Sequence, residues 1–179
     1  MSTTFQRILI GFETGEVAVM SFITRGRGPL PHGAKWLGDD PSFGLWERPA
    51  TDENVIEELS RFALSDGRAI TSWRRIPESE VPTDRSYRNA WTVMGDGKVG
   101  HDMPRARELH RAKLRRARVP LLEALDIEAI RADESGDKKA KDAVVARKQA
   151  LRDAPADPAI EAAKTIEELK AVTLPEAPE

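Results

Sequence analysis

The residues from Pro104 to about Ser135 keep a helical period with no glycine among them. A helix of that length must lay an apolar stripe against some partner along most of its course. Pro104 suits the first turn, where its missing N–H is not needed. Gly136, in "SGD", suits the residue that follows a helix end. Pro120 falls inside and is expected to kink the helix or to restart it at "PLLEALDIEAI". The segment "KKAKDAVVARKQALRDA" repeats the helical pattern and stops at Pro155. Leu114, Ala117, Leu121 and Leu125 share one stripe. Ala140, Ala143, Val144, Arg147 and Leu151 share another, so two antiparallel helices joined by a tight turn are predicted. A short last helix, "TIEELKAV", has Thr165 as its cap and Glu168 three residues on, the pattern of a capping box.

The first half has the other period. "RILIGFETGEVAVMSFI" alternates apolar residues about Thr14-Gly15 and predicts a β-hairpin. The following 24–49 stretch holds five Gly and four Pro and reads as a long irregular loop. Its Trp36, Phe43 and Trp46 are expected to pack it onto the hairpin. "ATDENVIEELSRFAL" is a helix capped by Thr51 or Asp52, with Val55, Leu59 and Phe62 on one face. "RAITSWRRI" is a strand. "RNAWTVMGDGKVGHDM" is a second hairpin, with Asp96-Gly97 as a type I′ turn. The expected architecture is therefore α+β. A small hairpin-and-helix module at 1–103 precedes a helical hairpin at 104–155 and an acidic extension with a short helix at 156–179. Trp36, Trp46, Trp73 and Trp91 are the expected core anchors of the module; an aromatic surface that binds sugar or peptide is the minority alternative.

Composition narrows the function. There is no cysteine, which excludes a disulfide framework and a thiolate metal site. The N-terminus lacks the basic and apolar regions of a signal peptide, and no apolar run is long enough to cross a bilayer, so assembly in the cytoplasm is expected. "GDGKVG" lacks the spacing of a phosphate loop and is better read as a hairpin turn. His32, His101 and His110 show no metal-ligand spacing, and no serine sits in a nucleophile-elbow context. No catalytic site, metal or cofactor is expected.

Charge is unevenly placed although the net is only −2. From Pro104 to Arg118 there are seven Lys and Arg against one acid, Glu108, whereas the chain after Asp153 is acidic. At about 100° per residue, Arg107, Arg111, Arg115 and Arg118 form one stripe. Such a stripe can grip phosphates. No aromatic is interleaved for base stacking, so a protein-facing or solvated helix is the favoured reading and nucleic acid is not expected. The apolar stripe lacks the bulky aromatics that seat a helix in a membrane surface. A basic middle and an acidic end favour head-to-tail or intrachain attraction.

"VPTDRSYRNAW" followed by "DMPRARELHRAKLRRAR" resembles small proteins encoded among the tail genes of phages and prophages of alphaproteobacteria. "HRAKLRRARVPLLEALDIEAIRADESGDKKAKDAVVARKQALRDAPADP" is similar to the C-terminal region of phage tail assembly chaperones and tail-fibre assembly proteins. The most specific element is Gln149, Ala150, Leu151, Arg152 and Asp153 followed by Pro155. Where that family carries an aromatic after its Leu-Leu-x-x-x-Asp element, Ile127 follows Asp126 here. The resemblance covers roughly residues 82–158. It implies a non-enzymatic tail-region protein of the virion, assembled in the host cytoplasm, contacting other tail or fibre proteins and forming part of a symmetric homo-oligomer or larger assembly. The alternative is an assembly chaperone absent from the particle. Its expected contact residues are Arg107, Arg111, Arg115, Arg118, Leu151 and Arg152.

Overall fold

The computed structural model describes residues 4–37 and 44–175. The fold is α+β, and the chain divides into two compact units at Gly100–His101.

The first unit is built on β1 (Thr4–Phe12) and β2 (Val17–Arg27), which pair antiparallel with Ile8 opposite Met20 and Ile10 opposite Ala18. Phe12 donates to the Glu16 carbonyl and Gly15 donates to the Phe12 carbonyl, each at 3.0 Å. Only Gly15 of the three loop residues has a positive φ, 77°. This is a three-residue hairpin loop closed by a left-handed glycine. The second hairpin, β6 (Trp91–Val93) and β7 (Val99–His101), closes in the same way. Gly97 donates to Met94 O at 2.8 Å, and Met94 donates to Lys98 O at 2.9 Å. Asp96 keeps a negative φ, so the expected type I′ turn at Asp96-Gly97 is not formed.

Two short strands emerge from the Gly- and Pro-rich stretch that reads as irregular loop. They are β3 (Lys35–Trp36) and β4 (Leu45–Glu47), and β4 pairs with the far end of β2. Glycine makes this possible at one point: a Cβ on Gly26 would lie 2.7 Å from the Trp46 ring. Phe43 lies outside the described residues. With β5 (Ile70–Ile76) on the other side of β1, the sheet order is β3-β4-β2-β1-β5.

Both faces of β1 are covered, which explains its apolar run rather than a strict alternation. Ile8, Ile10 and Phe12 pack with Phe22 and with Val55 and Leu59 of α1 (Asp52–Asp66). Leu9 on the opposite face packs with Val17, Ile76, Val81 and Trp91. Thr51 caps α1 by accepting from Asn54 N, and Gly67 ends it at φ 80°. Trp46 and Trp91 are buried. Trp36 and Trp73 are only half-buried. They sit on the outer strands β3 and β5, where, among the described residues, one flank of the sheet has no further strand beside it. A charge serves where the composition suggested only aromatics. Arg48 is buried, with its guanidinium 4.1 Å from the Phe22 ring centroid and Nη1 donating to Glu58 Oε2 at 3.2 Å.

The second unit is helical. The helix α2 (Met103–Glu134) is capped by Asp102, whose carboxylate accepts from Arg105 N at 3.1 Å. It continues through Pro120 without restarting. Gly136, at φ 69°, turns the chain into α3 (Lys138–Asp153), which Asp137 caps by accepting from Ala140 N. The seam of this hairpin is Leu125, Val144 and Leu151, supported by Leu122, Ala129 and Leu174. The inward line of α2 runs Ala106, His110, Leu114, Leu122, Leu125, Ala129, Ala132 at intervals of three, four or eight. Ala117 and Leu121, expected on that line, are exposed instead. Leu121 borders a groove beside α3 rather than filling the seam.

The acidic end is not a loose extension. A single 3₁₀ turn (Ala154–Ala156) leads into α4 (Pro158–Ala162) and α5 (Ile166–Ala171), and all pack within the second unit. Ile160 and Leu169 are fully buried, and Ala163 and Ile166 nearly so. Thr165 accepts from Glu168 N, but Glu168 Oε2 accepts at 2.6 Å from Lys164 N, one residue before the cap, so only half of the expected capping box forms. α4 carried no distinct signal, because five residues give too little period to read.

Candidate functional site

The arginine-rich part of α2 is the chemically distinctive surface of the second unit. Burial of Ala106, His110 and Leu114 holds this length of helix against the folded-back C-terminal segment. Residues at 107, 111 and 118 fall on or beside the buried line, so their side chains meet that segment. Arg107 Nη2 donates to the Ala163 carbonyl at 2.8 Å, and its Nη1 lies 3.8 Å from Glu161 Oε2. Arg111 donates to Glu161 Oε1. Arg118 Nη1 donates to the Arg152 carbonyl at 2.7 Å. His110, almost fully buried, has Nε2 2.8 Å from the Val172 carbonyl. A carbonyl only accepts, so this contact places a proton on Nε2.

These contacts satisfy helix-end carbonyls with charged donors. Ala163 is the C-terminal cap of α4 and Arg152 lies in the last turn of α3. Cations there offset the negative end of each helix. The hydrogen bond from Arg111, with the field of Arg107 added, holds the Glu161 carboxyl below the usual carboxylate range. The Glu161 side chain is mostly exposed, so solvent screens the pair and it positions the segment more than it stabilises it. The segment therefore acts as a strap: its apolar residues bury against α2, and α2 supplies donors to its carbonyls and its acid.

The arginines read as one stripe do not share one role. Arg115 is exposed and makes no hydrogen bond or ion pair among the described residues. The three others are engaged within the unit, which removes the continuous row that phosphate binding would need. Leu151, expected as a contact residue, is buried in the hairpin seam, where it also lines the floor of a groove. Arg152 keeps an exposed side chain and gives only its carbonyl to Arg118.

The other singled-out groups lie apart. "GDGKVG" is the hairpin loop, and Gly97 O accepts from Arg74 Nη2 at 2.6 Å. His32 pairs with Glu57 of α1 in the first unit. Among the described residues no group of three or more His, Asp or Glu is placed to hold a metal ion. No described helix is long and apolar enough to cross a membrane.

What the residue-by-residue reading missed is the apolar surface of the hairpin. Two helices bury one seam, and both broad faces stay open. On one face a groove of about 270 Å³ lies between Leu121 and Ala124 of α2 and Ala150 of α3, bounded by Pro175. Arg147 and Glu128, paired at 2.8 Å, bridge the helices beside it. On the other face Ile130 and Val145 are each more than half exposed, and Ile127, more than half exposed too, lies on the side of α2 turned away from the seam. The signal was present: these β-branched residues fall off the stripe that the hairpin buries. No family model, no curated protein and no solved structure matches the chain.

Proposed function

We propose that this chain is a non-enzymatic protein of the bacteriophage tail region, a component of the virion that acts through protein–protein contacts. One observation carries the contact role: the helical hairpin leaves large apolar side chains open on its broad faces while its seam is already filled. Exposed Ile and Val flanked by charge are the composition of a surface meant to be covered. The tail context comes from the resemblance of residues 82–158 to tail-gene products and tail assembly proteins. The engagement of Arg107, Arg111 and Arg118 within the unit argues against a nucleic-acid role for the basic helix.

Quantitative mass spectrometry of purified particles from the phage that encodes the chain tests this reading. Stoichiometric presence, in a multiple set by the symmetry of a ring or fibre, is the expected result. Absence from particles with abundance in the infected-cell lysate overturns the virion role and assigns the chain to assembly as a chaperone.

A further inference from the structure

One broad face of the hairpin has a pattern that selects its own partner. Along α2, Val119, Glu123, Asp126, Ile130 and Asp133 recur at intervals of three and four and so share a stripe. Along α3, Lys141, Val145, Lys148 and Arg152 do the same. The two stripes border the same face, because Asp133 pairs with Lys141 and Asp126 pairs with Lys148 at 2.6 Å. The face is thus acidic along one helix and basic along the other, with Ile130 on the first and Val145 on the second. Ile130 is 58% and Val145 56% exposed. Glu123 and Glu134 on α2, and Lys138, Lys139 and Arg152 on α3, have no side-chain partner among the described residues.

We propose that this face binds a second copy of the chain, with α2 of each copy lying antiparallel over α3 of the other. Charge chooses the arrangement. Two hairpins can meet face to face about a two-fold axis in two ways. An axis across the helices sets α2 on α2 and α3 on α3, so acid meets acid and base meets base. An axis along the helices sets α2 on α3 twice, so each acidic row meets a basic row. The ion pairs within one copy also fix the level. Asp133 stands beside Lys141 and Asp126 beside Lys148, so Ile130 is level with Val145 and Glu123 with Arg152. The two-fold then seats Ile130 of each copy near Val145 of the other and closes Glu123 on Arg152. α3 is about 24 Å long and two packed helices are about 20 Å wide. Such a face, roughly 480 Å² in projection, is smaller than the about 800 Å² per partner of a standard interface and calls for association at micromolar concentration or weaker.

Sedimentation equilibrium of the full chain over a concentration series tests the proposal. A reversible monomer–dimer equilibrium is expected, and Ile130→Glu should weaken it by more than about tenfold. Glu123→Arg and Arg152→Glu, both at exposed positions that leave the cores untouched, should each weaken the dimer by about tenfold. An equal mixture of these two variants should recover dimer, because both contacts in the mixed pair are again attractive. Recovery in the mixture distinguishes contact between copies from contact within one. Three results would each overturn the proposal: a chain that stays monomeric at every concentration, a dimer indifferent to Ile130→Glu, or variants that do not rescue each other. A monomer would leave the face to a different protein and would not touch the tail-region reading, which the particle composition decides.

Discussion

Single residues do much of the positioning in this molecule, and several do so against their usual habit. Arg48 is buried because its guanidinium has both the Phe22 ring and Glu58 to face. A buried charge needs such partners. In the second unit the residue that couples helix to strap most directly is Glu161, which reaches Arg111 and lies near Arg107. Its carboxyl is held below the usual range, first by the Arg111 hydrogen bond. A carboxyl whose folded pKa lies below its unfolded value favours the folded state above that unfolded value. It loses that contribution as the pH falls through the folded pKa. Wild-type chain should therefore melt at a higher temperature than Glu161→Gln at neutral pH, and the gap should close as the pH falls below the ordinary carboxylate range. Thermal melts followed by circular dichroism across that range check it; a gap that persists in acid would remove the ion pair from the explanation. The arginines were visible in the sequence, and the acidic end was visible as their complement. Which arginine meets Glu161 was not, because that depends on how the chain turns after Asp153.

At the scale of elements, the helices follow their punctuation. Thr51, Asp102, Asp137 and Thr165 each cap a helix with a side-chain oxygen. Gly67 and Gly136 take the left-handed backbone that follows a helix end. Such signals are local, so they survive in the sequence. Pro120 is the exception. It lacks an N–H for the carbonyl four residues back, yet α2 continues past it because the strap on one side and α3 on the other hold both halves. Pro120 is exposed, so Pro120→Ala restores that hydrogen bond without crowding the core. It should stabilise the second unit by about 1–3 kcal/mol, read from chemical denaturation. Loss of stability instead would mean that the local geometry at Pro120 is needed by the packing around it. The strands β3 and β4 show the opposite limit. Two or three residues have no period to detect, and they exist because β2 offers an edge to pair with.

At the scale of the whole molecule, each unit owns a core. The first has two apolar clusters, one on either face of its sheet, and the second has the hairpin seam together with the buried strap residues. A unit with its own core can fold alone. Residues 1–101 and 102–179, produced separately, should each unfold in a cooperative transition when followed by circular dichroism; a fragment without such a transition would show that its core is incomplete.

What the sequence determined by itself was what is written in short range: every helix but α4, the two hairpins with their glycines, and the change from sheet to helix near residue 103. Propensity, capping and periodicity act over a few residues and need no knowledge of the rest. The tertiary structure decided what no window of residues contains. It turned the acidic end back along α2, made three of four arginines internal, sank Leu151 into the seam, and moved Ala117 and Leu121 to the surface. Burial depends on where a neighbouring element comes to rest. A shift of one step round a helix, about 100°, separates a core position from an exposed one.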